Sequence, residues 1–318
     1  MGTPTERKPS VILVAEVVGL GNFPRMIPHA QLKYWLLSAL LVSTAVAQQD
    51  FSKVEIKATQ VSGHVYMLEG AGGNIGVSAG ADGILIVDDQ FAPLADKIAA
   101  ALAQLNPGKL KFVLNTHHHG DHTGGNAAFG AKGAVIVAHD NVRPRLAADT
   151  KLPPEALPVI TFDHAASVHF NGEDIRLLHV GPGHTNGDAI IHFTKANVVH
   201  MGDQYVSQGW PYVDFGSGGD VDGYIATQQA VLAKVKPDTK IIPGHGPLST
   251  VEDLKNYNAM VVESVALVRK GMAAGKTLEQ LRAEGLPEKW AAFGKGWITN
   301  ARWIETIYNQ SHKDAPKK

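Results

Sequence analysis

The sequence predicts an α/β sandwich: two sheets packed face to face, helices on the outside, and a helical segment appended at the C-terminal end. Three observations predict it. Residues 54–89 read as short strands separated by glycine-rich turns. From residue 92 onward helical stretches alternate with short apolar runs of strand character. Beyond His245 the strand signals stop, and residues 251–312 are helical almost throughout. No repeat of fixed period and no low-complexity tract interrupts this order.

The elements follow in sequence. Val54–Ala58, Val65–Glu69, Ile75–Ala79 and Ile84–Asp88 are predicted strands. The turn Gly70-Ala71-Gly72-Gly73-Asn74 between two of them reads either as a substrate flap or as an ordinary hairpin. Ala92–Leu105 has helical periodicity and is ended by Asn106-Pro107-Gly108. Leu110–Asn115 and Val135–Ala138 are apolar strands. Residues 167–203 form a strand meander with turn signals at Asn171-Gly172 and Lys195-Ala196-Asn197. Val221–Val235 is helical, and Lys240–Pro243 is a last short strand. The tail carries Trp290, Phe293, Trp297 and Trp303, which are expected to pack on the sandwich.

Three segments are expected. Residues 1–47 are an address: Lys33 precedes an apolar run, Tyr34–Val46, and Ala45-Val46-Ala47 is a small-x-small cleavage site. The run is shorter than the roughly 20 residues a spanning helix needs, so no membrane anchor is expected after cleavage. Met26 fits such a leader as its first residue better than Met1. Residues 48–250 are the main domain, and 251–318 a helical segment packed on it. A leader of this kind implies a periplasmic or secreted protein.

Composition narrows the function. The 318 residues carry 29 Lys+Arg and 30 Asp+Glu. Without residues 1–47 the counts fall to 25 and 28, a net charge of −3. That balance disfavours nucleic acid as a partner, since phosphate neutralisation needs a basic face. Cysteine is absent, which excludes disulfides, thiol nucleophiles and Cys-ligated metals.

The 15 histidines include one dense motif, Thr116-His117-His118-His119-Gly120-Asp121-His122. His117 and His119 are two apart at a strand end, so their rings share one side while His118 points away. Gly120 permits a sharp turn, which aims Asp121 and His122 at the same region. Such a set can hold two divalent ions side by side. Further metal-capable residues lie just past apolar strands, each beside a glycine: His184, Asp203 and His245. The other histidines, His64, His139, His164, His169, His179, His192 and His200, are assigned to structure.

These residues carry a resemblance. Over residues 54–246 the chain resembles the metallo-β-lactamase superfamily of hydrolases, whose His-x-His-x-Asp-His signature matches His117, His119, Asp121 and His122. Its later ligands match His184, Asp203 and His245. The resemblance implies an αβ/βα four-layer sandwich with a two-zinc site at one edge of the sheets. His117, His119 and His184 would hold one Zn²⁺. Asp121, His122 and His245 would hold the other, with Asp203 bridging. Asp88, or its neighbour Asp89, matches an early structural Asp. The resemblance further implies a metal-bridging hydroxide that attacks a substrate carbonyl, with Asp121 as the catalytic residue that orients it. The ligand types also suit Fe or Mn.

The superfamily hosts β-lactamases, thioesterases of the glyoxalase II type, lactonases, nucleases and sulfatases, and fold alone does not choose among them. Export favours a β-lactam as the small-molecule substrate. A bridging Asp and a helical tail of 73 residues beyond His245 favour a lactonase or glyoxalase II-like thioesterase. A non-hydrolytic metal-binding protein or a di-iron redox protein is a third class, though retention of His119 favours hydrolysis. Tyr205, Trp210 and Tyr212, which follow Asp203, are candidates for substrate binding.

Overall fold

The computed structural model describes residues 50–313. The leader assigned to residues 1–47 lies outside them. The first strands are β1 (Lys57–Ser62), β2 (Val65–Glu69), β3 (Ile75–Gly80) and β4 (Gly83–Val87). Helix α1 (Ala95–Leu105) leads to β5 (Leu110–Leu114), followed by short helices α2 (Gly120–Thr123) and α3 (Asn126–Ala131). Then come β6 (Val135–His139), α4 (Val142–Ala147) and β7 (Ile160–Phe162). The second sheet starts with β8 (Ala165–Phe170), β9 (Glu173–Leu178), β10 (Ile190–Phe193) and β11 (Val198–His200). Helix α5 (Val221–Leu232), β12 (Lys240–Ile242), β13 (Ser249–Thr250), α6 (Val251–Ala273), α7 (Leu278–Glu284) and α8 (Asn300–Lys313) complete the chain.

Strands β1 to β7 form one sheet in sequence order; the other runs β13-β12-β11-β10-β9-β8. The period-two alternation of each strand divides its residues between two layers. Leu85 and Val87 of β4, with Leu114 and Val137, meet Ile175, Leu177, Ile191 and Phe193 of the other sheet. The alternate residues Ile84, Ile86, Val113 and Ile136 turn outward onto Ile98 and Leu102 of α1. On the opposite side Ile190, Val199 and Ile241 pack on α5, α6 and α8 through Tyr224, Leu254, Val261 and Trp303. The result is a helix–sheet–sheet–helix sandwich, as expected. Each fully buried aliphatic side chain contributes roughly 1.5–3 kcal/mol. A one-residue slip in β4 would exchange its two apolar faces, so the packing partners on both sides hold the register.

Local departures have local causes. The segment expected as a strand from Val54 is instead held back: Lys97 of α1 donates from Nζ to the carbonyls of Phe51, Ser52 and Val54. A single tight turn, Phe51–Lys53, forms there, and the strand begins at Lys57. Pro93 sits in another such turn, so α1 begins at Ala95 and not Ala92. Segments α3, α4, β7 and β13 are too short to show periodicity. The tail breaks at Gly285, whose φ of 72° is left-handed. Residues 286–299 therefore run as turns between α7 and α8.

Candidate metal centre

The seven donors predicted from the motif come together at the carboxyl ends of the strands. His117 to His122 follow β5, His184 lies in the loop between β9 and β10, Asp203 follows β11 and His245 follows β12. His119 Nδ1 and His184 Nε2 are 2.9 Å apart. His122 Nε2 lies 3.3 Å from His245 Nε2, and His245 Nε2 lies 3.3 Å from Asp121 Oδ2. Asp203 stands between these sets. Its Oδ1 is 3.2 Å from His122 Nε2 and 3.4 Å from His245 Nε2, while its Oδ2 is 3.6 Å from His184 Nε2. The donor atoms of His117, His119 and His184 fall within 4.8 Å of one another, as do those of Asp121, His122 and His245.

Two glycines make this crowding possible. A Cβ on Gly73 would lie 2.1 Å from the His122 ring, and one on Gly244 2.0 Å from Asp203 Oδ1. The Gly70–Asn74 turn is pinned beneath the site. Gly73 donates its N–H to the Asp121 carbonyl, and Asn74 donates its N–H to the Gly244 carbonyl. It ties two donor loops together.

A second layer fixes which nitrogen each ring presents. Asp88 Oδ2 accepts from Thr116 Oγ1 at 2.7 Å and from His122 Nδ1 at 2.8 Å; its Oδ1 accepts from the Thr116 amide. Thr116 Oγ1 in turn meets His117 Nδ1 at 3.0 Å. His184 Nδ1 donates to the Tyr212 carbonyl at 2.7 Å, and His119 Nε2 is held by Asp214 Oδ2 at 3.0 Å. With those nitrogens taken, the others face the cluster. Asp89, the alternative to Asp88, turns away and accepts from Gly125 N. Asp88 holds this position with φ +63°, a conformation that costs a non-glycine residue energy and is common at functional sites.

The electrostatics divide the cluster. Burial pushes the imidazolium of His117 well below the usual histidine range and that of His184 down to about 4. His122 and His245 are also buried, yet the carboxylates around them win. Asp203, Asp121 and Asp88 raise His122 well above its usual value, and Asp203 and Asp121 raise His245 to about 9. Asp203 resists the upward push of burial and lies well below the carboxylate range because of these cations. The metal-free cluster thus pairs neutral rings on one side with an imidazolium–carboxylate network on the other. The fit to metal is seen at His117, whose Nε2 is buried with no hydrogen-bond partner. Leaving it so costs about 1–3 kcal/mol. A set of His nitrogens and carboxylate oxygens aimed at one another suits divalent cations.

A cleft of about 720 Å³ opens above the cluster. Tyr212 and Trp210 line it, as expected of substrate-contacting residues, but the Trp210 indole N–H is already given to Asn300 Oδ1. Tyr205 is a correction: only 2% exposed, it packs on Tyr257 and gives its hydroxyl to Ser249, away from the cleft. Sequence reasoning missed Asp214, which lies 95 residues from His119 in the chain. It also missed Phe91, Trp297 and Ile298 in the cleft wall. Only the aspartate's position after the Trp210–Tyr212 run hinted at any of these. His118, predicted to point away, does so toward Ser217. His200 braces the Asn74 carbonyl, and His139 stacks on His179.

Comparison with known proteins agrees with this geometry. Residues 58–245 match the sequence model of the Metallo-beta-lactamase superfamily. A hydroxyacylglutathione hydrolase of Polaromonas sp. is 33% identical over 156 residues, 48% of this chain and 55% of that protein. Another, of Acidiphilium cryptum, is 31% identical over 202 residues, 62% of this chain and 73% of the relative. The chain spans about half the length of several curated relatives that it matches. In fold it resembles a metallo-beta-lactamase from Pontibacter korlensis, with TM-score 0.56 and 17% identity over 65% of this chain and 99% of that one. The DIM-1 metallo-beta-lactamase is similar at the same score and identity, over 67% of this chain and all of its own. Strand order, converging donors and the matched sequence lead to one conclusion: the chain belongs to the metallo-beta-lactamase superfamily.

Proposed function

We propose that the protein is a metal-dependent hydrolase that cleaves an ester- or thioester-type carbonyl with two divalent ions, Zn²⁺ foremost. The observation that carries this reading is the position of Asp203, with one carboxylate oxygen toward each set of donors. His117, His119 and His184 would hold one ion, Asp121, His122 and His245 the other, with Asp203 shared. Ions bound there supply Lewis acidity for a carbonyl oxygen and an acidified water. Asp121 lies at the mouth of the cleft as a carboxylate able to orient or receive a proton. His119 is kept in place by Asp214.

The sequence alone favoured a β-lactam. The curated relatives reported above carry the name hydroxyacylglutathione hydrolase at 31–33% identity, whereas the β-lactamases share the fold at 17%. That contrast supports the thioesterase alternative over the β-lactam. The proposal also keeps export, resting on the leader-like residues 34–47. N-terminal sequencing of the protein from the producing cell, with a start at Gln48, is the expected outcome; an N-terminus upstream of Tyr34 would refute it.

The deciding experiment combines metal analysis with a parallel screen of a glutathione thioester, an acyl-homoserine lactone and nitrocefin. Two zinc equivalents, turnover abolished by EDTA, and faster cleavage of the thioester than of nitrocefin are expected. Iron with a redox spectrum, or a purified protein that takes up no metal, would overturn the reading.

A further inference from the structure

The cleft has a polar floor and an apolar wall. Phe91, Val206 and Ile298 contribute to that wall, and none of the lining side chains is a lysine or arginine. At one edge Tyr212 and Trp297 meet with ring centroids 4.8 Å apart. The Tyr212 ring is 6.0 Å from His119 and 5.8 Å from His184, so this edge adjoins the donor cluster directly. Trp297 is 69% exposed, an uncommon state for so large an apolar surface.

The Arg302 guanidinium lies over both rings, 4.8 Å from the Trp297 centroid and 5.6 Å from that of Tyr212. Among the described residues no carboxylate pairs with Arg302. Its neighbours on the same helical segment, Arg269, Arg282 and Lys289, each have one. The helix that carries Arg302 is tied to Trp210. Asn300 accepts the Trp210 indole N–H at 2.6 Å, and Trp303 stacks on Trp210 at 13°. These contacts anchor the first turn of α8, on which Arg302 sits.

A guanidinium stacked on aromatic faces keeps its N–H edge free, and that planar fork suits a carboxylate. The open face of Trp297 suits a flat apolar group. We propose that Tyr212, Trp297 and Arg302 form a specificity subsite that selects carbonyl substrates bearing a flat apolar group with one carboxylate. The reacting carbonyl itself rests on the hydrolase reading above. Two of its three residues, Trp297 and Arg302, belong to the C-terminal segment, so the subsite gives that segment a role in substrate choice. A substrate with several carboxylates gains from only one of them here.

The test uses the metal-loaded protein with two esters, phenyl acetate and 4-acetoxybenzoate, and with 4-hydroxybenzoate as a binding probe read by tryptophan fluorescence. The wild type is expected to show a KM for 4-acetoxybenzoate about tenfold below that for phenyl acetate. Arg302→Ala should erase that difference with kcat unchanged and weaken 4-hydroxybenzoate binding about tenfold. Arg302→Lys should recover part of it, since the charge stays and the fork is lost. Trp297→Ala should raise KM for both esters. Equal KM values for the two esters in the wild type, or 4-hydroxybenzoate binding unaffected in Arg302→Ala, would overturn the subsite. Arg302-dependent binding with neither ester cleaved would instead overturn the hydrolase reading and leave the subsite standing.

Discussion

The two halves of the donor cluster are built differently. His117 and His184 are rings kept neutral by burial, with His119 beside them, and the second nitrogens of His117, His119 and His184 are held by Thr116, Asp214 and the Tyr212 carbonyl. His122 and His245 carry protons shared with Asp121 and Asp203. One half is ready to receive a cation. The other must first release protons to do so. Asp88 is the link: it braces His122 directly and His117 through Thr116. The lesson is that one buried carboxylate can serve two electrostatically opposite half-sites by fixing ring orientation.

The largest expected effect comes from removing a donor of the neutral half. His119→Ala should lower kcat/KM on the order of a thousandfold; unchanged turnover would remove His119 from the centre. Asp88→Asn should weaken both ions by about 10–100-fold each, measured by competition with a chromophoric chelator. Loss confined to one ion would break the linking role assigned to it. Asp214→Asn touches only the neutral half. It should weaken one ion by about tenfold and spare the other.

The smallest effect is one of pH, and it sharpens the contrast. The raised value of His245, about 9, means that the metal-free protein holds this proton throughout the neutral range. A cation must displace this proton and the one on His122, so affinity for the second ion should fall by at least about tenfold for each unit of pH lowered below 9. The first ion should depend less on pH across the neutral range, since burial already keeps the His117 and His184 rings neutral there. Titrating both ions at pH 6 and pH 8 measures the difference directly; parallel slopes would refute it.

Much of the fold and nearly all of the inner centre were legible in the chain. The unbroken apolar run of β4, Ile84–Val87, suits a strand buried on both faces. His117 and His119 at the end of β5 share a side because the strand period is two. Glycines beside His184, Asp203 and His245 mark where the backbone must yield to a close neighbour. The first strand was misplaced because Lys97 of a later helix captures its carbonyls. Tyr205 and Tyr212 both follow Asp203 and look equivalent in sequence. Only packing against α6 sends one into the core while the other reaches the cleft.

Each donor's type, the glycine beside it and the apolar strand before it were local properties, and so they survive in a bare sequence. The orienting partners were not. Asp214 reaches the centre, Trp297 the cleft and Arg302 the rings at the cleft's edge only after the two sheets close and α8 docks on Trp210. Periodicity acts over a turn or a strand, whereas Asp214 meets His119 across 95 residues and Asn300 meets Trp210 across 90. Their positions depend on how the layers pack, and no short-range pattern encodes that.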